Sequence, residues 1–177
     1  RYAVLDKTGT VTQGAPVVTD VLPVPGVTAE ELLALATALE TRSEHPLARA
    51  VVEHTTELGL PAKTVEGFSV LPGNGLSATV DGAEAFAGNG ALVASRGLLT
   101  QELKAQGERL AAQGKTPLYF AHRGRVLGIV AVADAVRPES RQAVAELKAM
   151  GVQVVMLTGD NRRAAEAVAQ AVGIEPA

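Results

Sequence analysis

The 177-residue chain contains no cysteine and no tryptophan. Without cysteine there can be no disulfide framework, no thiolate metal site and no cysteine nucleophile. Aromatic residues amount to three Phe and two Tyr, too few for the stacking platform of a single-strand nucleic-acid binder. An excess of positive charge is lacking too: 16 Lys and Arg stand against 19 Asp and Glu, a net charge of −3. No nucleic-acid partner is therefore expected. No apolar run approaches the roughly 18 residues of a membrane span, and no signal-peptide pattern opens the chain.

What is present is ordinary globular material, 47% hydrophobic and 20% charged, which excludes a disordered chain. With so few aromatics, the core must be built from Ala, Val and Leu, a composition suited to helices packed on sheets. The length allows one domain, or a small domain inserted into part of another. The chain begins at Arg1 and is expected to be an excised, monomeric piece of a longer protein.

Tyr2-Ala3-Val4-Leu5 is a short apolar run ending at Asp6. It predicts a strand buried on both faces, as in parallel sheets. Val152–Leu157 repeats the pattern and ends in Thr158-Gly159-Asp160; a helix from Pro138 to Met150 precedes it and another, Asn161–Val172, follows. Pro138 suits a first helical turn and Gly151 the position past its end. Strand, helix, strand, helix in that order is a parallel α/β layout.

The middle of the chain differs. Thr28-Ala29-Glu30-Glu31 is a capping box opening a helix to about Glu40. Pro46–Leu58 and Thr100–Ala112 read as further helices, and Val65–Leu71, Leu76–Val80, Ala83–Ala87 and Pro117–Ala121 as strands. Asp81-Gly82 is a tight-hairpin signal. The expected architecture is an α/β domain (1–17 and 123–177) interrupted by an α+β domain (18–122) with an antiparallel sheet. Its connectors are expected near 13–18 and 122–126, with Gly124 absorbing backbone changes.

Asp6-Lys7-Thr8-Gly9-Thr10 carries the chemistry. A carboxylate at the carboxyl end of a parallel strand sits where open α/β sheets bind ligands. It is a competent nucleophile toward a phosphoryl group, with loop N–H groups to cradle the phosphate. This pentapeptide resembles the phosphorylation motif of P-type ATPases, in which a haloacid-dehalogenase-type phosphorylation domain carries an inserted nucleotide-binding domain. Thr158-Gly159-Asp160 resembles that family's second phosphate-site motif, and Asp134-Ala135-Val136-Arg137-Pro138 the segment that rejoins the two domains.

Glu40-Thr41-Arg42-Ser43-Glu44-His45-Pro46-Leu47-Ala48 resembles the signature of the heavy-metal-transporting branch. Pro72-Gly73-Asn74-Gly75 and Gly88-Asn89 resemble that branch's Gly-x-Gly turn and Gly-Asn pair. The resemblance implies ATP bound with its adenine near Glu40, Glu44, His45, Gly73, Gly75, Gly88 and Asn89. It implies phosphorylation of Asp6 with help from Lys7, Thr8, Thr10, Thr158, Gly159 and Asp160. Mg²⁺ would be held by the Asp6 carboxylate and the Thr8 backbone carbonyl, with a further aspartate beyond Ala177.

Glu44 leans the cargo toward copper. The implied partners are the transmembrane and actuator domains of a membrane pump, whose cytoplasmic part this chain would be. Lacking the remaining phosphate-site residues, the excised piece is expected to be inactive alone. Two rivals stay open on the residues themselves. A soluble phosphatase of the same fold is disfavoured by Thr8, which stands where such enzymes carry an acid/base aspartate. A non-catalytic nucleotide-binding module is disfavoured by Asp6 within an intact motif.

Overall fold

The computed structural model describes residues 1–159 and 162–175. The chain forms two compact units: residues 1–16, 108–116 and 133–177, and residues 17–107 and 117–132.

The first unit is built on two parallel strands, β1 (Tyr2–Asp6) and β8 (Gln153–Leu157). They are in register from Tyr2↔Gln153 to Asp6↔Leu157. Helices α5 (Ser140–Ala149) and α6 (Arg162–Val172) cover one face. There Val144, Val154, Val168, Ala169, Val172 and Ile174 form a core with Leu5 and Met156 packed against it. The expectation that these strands are buried on both faces is not met. Tyr2 is 74% exposed, Val4 64% and Leu157 64%, because side chains alternate across a strand and only one side is covered.

The second unit holds most of a six-stranded antiparallel sheet of order β2-β7-β6-β5-β4-β3. Its strands are β2 (Thr12–Pro23), β3 (Val65–Leu71), β4 (Gly75–Val80), β5 (Ala83–Gly88), β6 (Thr116–His122) and β7 (Arg125–Val136). Helix α1 (Ala29–Glu40) packs on α2 (Pro46–Thr56) and on β3, β4 and β5. The short α3 (Gly90–Ser95) and α4 (Gln101–Ala112) complete the element list.

Thr28 opens α1 as expected: its hydroxyl accepts from the Glu31 N–H at 3.1 Å, and the Glu31 carboxylate accepts from the Thr28 N–H at 2.8 Å. Leu32, Leu35 and Leu39 lie on the buried side of this helix, each contributing about 1.5–3 kcal/mol by leaving water. Asp81 and Gly82 both take positive φ, 48° and 79°, as a two-residue hairpin turn requires. Arg123 and Gly124 do the same, at 54° and 74°. They form the tight turn between neighbouring strands β6 and β7, so the flexible connector expected there is instead a hairpin. The connector expected near 13–18 is likewise a continuous stretch of β2.

Candidate functional site

Asp6 ends β1 and is exposed. Its carboxylate has no hydrogen-bond partner among the described residues, leaving it open to react. The parallel register places Asp6 opposite Leu157, so Thr158 and Gly159 leave β8 beside the point where Lys7 leaves β1. The two motifs thus share the carboxyl ends of adjacent strands. Asp160 lies outside the described residues.

The loop after Asp6 is a single tight turn over 7–11, with Gly9 at φ 79°. Lys7 is buried while Thr8 and Thr10 are exposed. Thr12, fully buried, closes the turn. Its hydroxyl oxygen lies 3.0 Å from the Lys7 carbonyl and accepts from the Gly9 N–H at 3.4 Å.

A second layer, from the end of β7 and the residues that follow it, holds this turn. The Asp134 carboxylate accepts from the Thr12 hydroxyl and from the N–H groups of Gly14 (3.0 Å) and Ala15 (3.1 Å). The Arg137 guanidinium donates to the carbonyls of Thr12 at 3.0 Å and Gly9 at 3.1 Å. The Ser140 hydroxyl donates to the Val11 carbonyl at 2.8 Å. Asp134 and Arg137 belong to a segment read from the sequence only as a junction. Their work as positioning residues, and that of Thr12 and Ser140, rests on contacts between residues more than a hundred positions apart, which no local pattern announces.

Asp6 and the Thr8 carbonyl suit an Mg²⁺ ion shared with a phosphate, since Mg²⁺ takes one or two carboxylates and completes its octahedron with phosphate oxygens and water. Among the described residues no three His, Asp or Glu side chains assemble into a metal cage, and Asp134 is committed to the loop.

The other candidate residues lie in the second unit. Glu40 is the last residue of α1 and is 6% exposed. Its carboxyl has no partner among the described residues, and burial pushes it up to about 7. The Glu40 backbone carbonyl accepts from the Ser43 N–H at 2.9 Å, which folds the following loop back toward α2. Glu44 is exposed.

His45 is the N-cap of α2: its Nδ1 accepts from the Leu47 N–H at 3.1 Å, with Pro46 at the first helical position. That bond requires Nδ1 without a proton, so the neutral ring carries its proton on Nε2, as a donor facing outward.

Gly73, at φ 74°, sits in the β3–β4 turn that the Asn74 N–H closes on the Leu71 carbonyl at 2.9 Å. A side chain there would meet nothing within 4 Å. Gly75 and Gly88 are register partners, and their glycine identity answers to a different demand. A Cβ on Gly75 would come within 2.0 Å of the Ala87 carbonyl oxygen, and one on Gly88 within 2.2 Å of that of Asn74. Close approach of the two strands is by itself enough to require glycine at both positions. The Asn89 side chain is also engaged internally: Oδ1 accepts from the Leu92 N–H at 3.0 Å, capping α3, and Nδ2 donates to the Gly73 carbonyl at 3.0 Å. Asn89 therefore holds the Gly73 turn in place.

A family model described as haloacid dehalogenase-like hydrolase matches residues 1–177. The chain is 43% identical over 171 residues to copper-transporting ATPase 2 of Rhizobium meliloti, covering 97% of this chain and 21% of that protein. It is 41% identical over 175 residues to copper-exporting P-type ATPase B of Archaeoglobus fulgidus, covering 99% and 25%. The chain thus spans a fifth to a quarter of the length of these relatives. Among solved structures, it resembles a zinc-transporting PIB-type ATPase in the E2.Pi state, with TM-score 0.72 and 36% identity over 98% of this chain and 28% of that one. The N-domain of HMA8, a copper-transporting P-type ATPase, matches 66% of this chain and 98% of its own, with TM-score 0.52 and 29% identity. Homologous to copper-transporting P-type ATPases along nearly its whole length, the chain belongs to the haloacid dehalogenase-like hydrolases.

Proposed function

We propose that this chain is the ATP-binding and phosphorylation region of a heavy-metal-transporting P-type ATPase, with copper as the cargo. The nucleotide-binding domain is residues 18–122 together with the β7 residues to 132 that complete its sheet, and the phosphorylation domain is residues 1–17 with the chain from 133 on. The observation that carries this reading is the exposed, unpartnered Asp6 carboxylate at the end of β1, beside the Thr158 end of β8 and above a loop pinned by Asp134 and Arg137.

An Asp6 oxygen attacks the γ-phosphorus of ATP; the bond from that phosphorus to the β,γ-bridging oxygen breaks, and ADP leaves with the electron pair. Such transfer depends on position and charge compensation more than on covalent help. The pinned turn holds the carboxylate in line, and the Thr10 and Thr158 hydroxyls donate to the phosphoryl oxygens. Asp6 and the Thr8 carbonyl would hold Mg²⁺, which would supply charge neutralisation for the transfer when bound. Thr8 offers no acid/base group to activate water against the acyl phosphate, so the phosphorylated state persists long enough to be coupled to transport.

The base of ATP is held in the second unit, with Glu40 and the His45 Nε2–H as its polar contacts and the Gly73 turn at its edge. The rest of the pump, its membrane and actuator domains, lies in the sequence that the relatives have beyond this chain; among the described residues no helix is long and apolar enough to cross a membrane. Copper-stimulated ATP hydrolysis and copper uptake by vesicles carrying the full-length protein test the reading. Both should disappear in Asp6→Asn. Stimulation by zinc or cadmium with none by copper would overturn the cargo, and persistent activity in Asp6→Asn would overturn the mechanism.

A further inference from the structure

We infer that Glu40 reads adenine as a neutral carboxylic acid, accepting a hydrogen bond from the 6-amino group while donating its own proton to N1, so that its ionisation moves the site's preference from adenine toward guanine. This rests on the nucleotide reading above and adds to it the protonation state that selects the base.

The geometry is that of a binding group without an internal role. Glu40 is 6% exposed, yet its carboxyl meets no donor among the described residues, and the nearby Ser43 N–H is spent on its backbone carbonyl. Among the described residues no completely sealed side-chain oxygen or nitrogen lacks a partner, so the Glu40 oxygens reach an opening at the end of α1. A polar side chain buried in this way costs free energy unless something completes it.

The elements packed on α1 include α2 with Arg49, Glu53 and His54 and His45 at its cap, β3 with Glu66, β5 with Glu84, and β7, whose Gly128 lies against Leu32, with Arg125 and Asp134; β4 carries no ionisable side chain. None of these groups acts on the carboxyl, and burial alone raises it. The neutral form is therefore well populated near neutral pH.

The chemistry of the two purines then separates them. Adenine presents a donor at the 6-amino group and an acceptor at N1, which a carboxylic acid matches with its carbonyl and its hydroxyl. A carboxylate has acceptors only: against adenine it keeps one bond and sets an oxygen against the N1 lone pair. Guanine presents donors at N1 and at the 2-amino group, which a carboxylate accepts together. The neutral acid can pair with either base; the anion favours guanine.

Calorimetric titration of the 177-residue chain with ATP and with GTP, without Mg²⁺, at about pH 6 and about pH 8 tests this, one pH unit either side of the carboxyl's transition. The triphosphates are the same in both ligands, so their own titration cancels in the affinity ratio. The ATP-to-GTP ratio should fall by about tenfold on going to the higher pH, the worth of one charge-sensitive hydrogen bond. In Glu40→Gln, whose amide mimics the neutral acid, the ratio should not change between the two pH values. As a probe needing no variant, 1-deaza-ATP should bind about tenfold more weakly than ATP at the lower pH and lose most of that deficit at the higher. A wild-type ratio indifferent to pH, or the same swing in Glu40→Gln, would overturn the inference while leaving ATP binding intact. No ATP binding at either pH would remove the nucleotide reading, and this inference with it.

Discussion

The Asp134 carboxylate takes a hydrogen bond from the hydroxyl of Thr12 across 122 residues of sequence. It also accepts from the Gly14 and Ala15 N–H groups, so one acidic side chain binds the exit of the phosphorylation loop to the end of β7. Removing it in Asp134→Ala leaves these donors without their acceptor, at a cost of about 1–3 kcal/mol to the first unit. Phosphorylation of the full-length pump should fall steeply, while ATP affinity of the second unit stays within about twofold of wild type. Chemical denaturation and nucleotide titration on the same variant separate the two effects. Loss of ATP affinity in parallel would contradict the positioning role.

Glu40 makes stability depend on pH in an unusual direction. Its carboxyl titrates near 7 in the folded chain against 4.5 ordinarily, so between these values the folded state binds the extra proton. Stability should therefore fall as pH rises through that window, by up to about 3 kcal/mol. Glu40→Gln removes the ionisation: the variant should be more stable than wild type at about pH 8 and nearly equal to it at about pH 4. Urea midpoints at the two pH values check this; a wild type that gains stability across the window relative to the variant would refute it.

Much of this molecule is legible in its residues wherever the signal is local. The Thr28–Glu31 box, the Asp81-Gly82 turn and the apolar stripe Leu32–Leu39 each carry their structure within a few positions. The strand ending at Asp6 and the one ending at Leu157 were legible for the same reason. β2 was not, because Gly14 and Pro16 interrupt its pattern and its partner β7 lies more than a hundred residues away. The exposure of Tyr2 and Val4 was hidden too: an apolar run shows that a residue suits burial, not that a neighbour covers it. At the candidate sites, residue types pointed to Asp6, Glu40 and His45. The loop's supports at Asp134, Arg137 and Ser140 depend on long-range geometry that no local pattern announces. The glycines at 75 and 88 carry a packing demand that the sequence pattern does not announce, because it arises from the register of β4 on β5.

His45 combines a structural bond with an outward donor, and two substitutions part them. His45→Ala should lose the cap on α2, about 1 kcal/mol of stability, together with nucleotide affinity. His45→Asn keeps a side-chain acceptor for the Leu47 N–H and should preserve stability while still losing affinity. Melting curves beside ATP titrations of both variants give the answer. An asparagine variant that binds ATP like wild type would show that the ring makes no contact with the base.

Gly75→Val tests packing rather than ligand contact. Its side chain would run into the Ala87 carbonyl and Gly88 Cα, parting β4 from β5 and destabilising the second unit by about 1–3 kcal/mol or more. Gly73→Ala meets no neighbour and should cost only about 1 kcal/mol for its left-handed backbone. Thermal melts should rank the two in that order; the reverse order would mean that the strands do not meet at Gly75 and Gly88.

Asp6 is where the chemistry of this chain is tested most directly. Full-length protein in membranes, given γ-labelled ATP with Mg²⁺ and copper and quenched in acid, should carry an acid-stable, hydroxylamine-sensitive phosphate, and peptide mapping should locate it on Asp6. Label that survives Asp6→Asn, or that maps to another residue, would contradict the account.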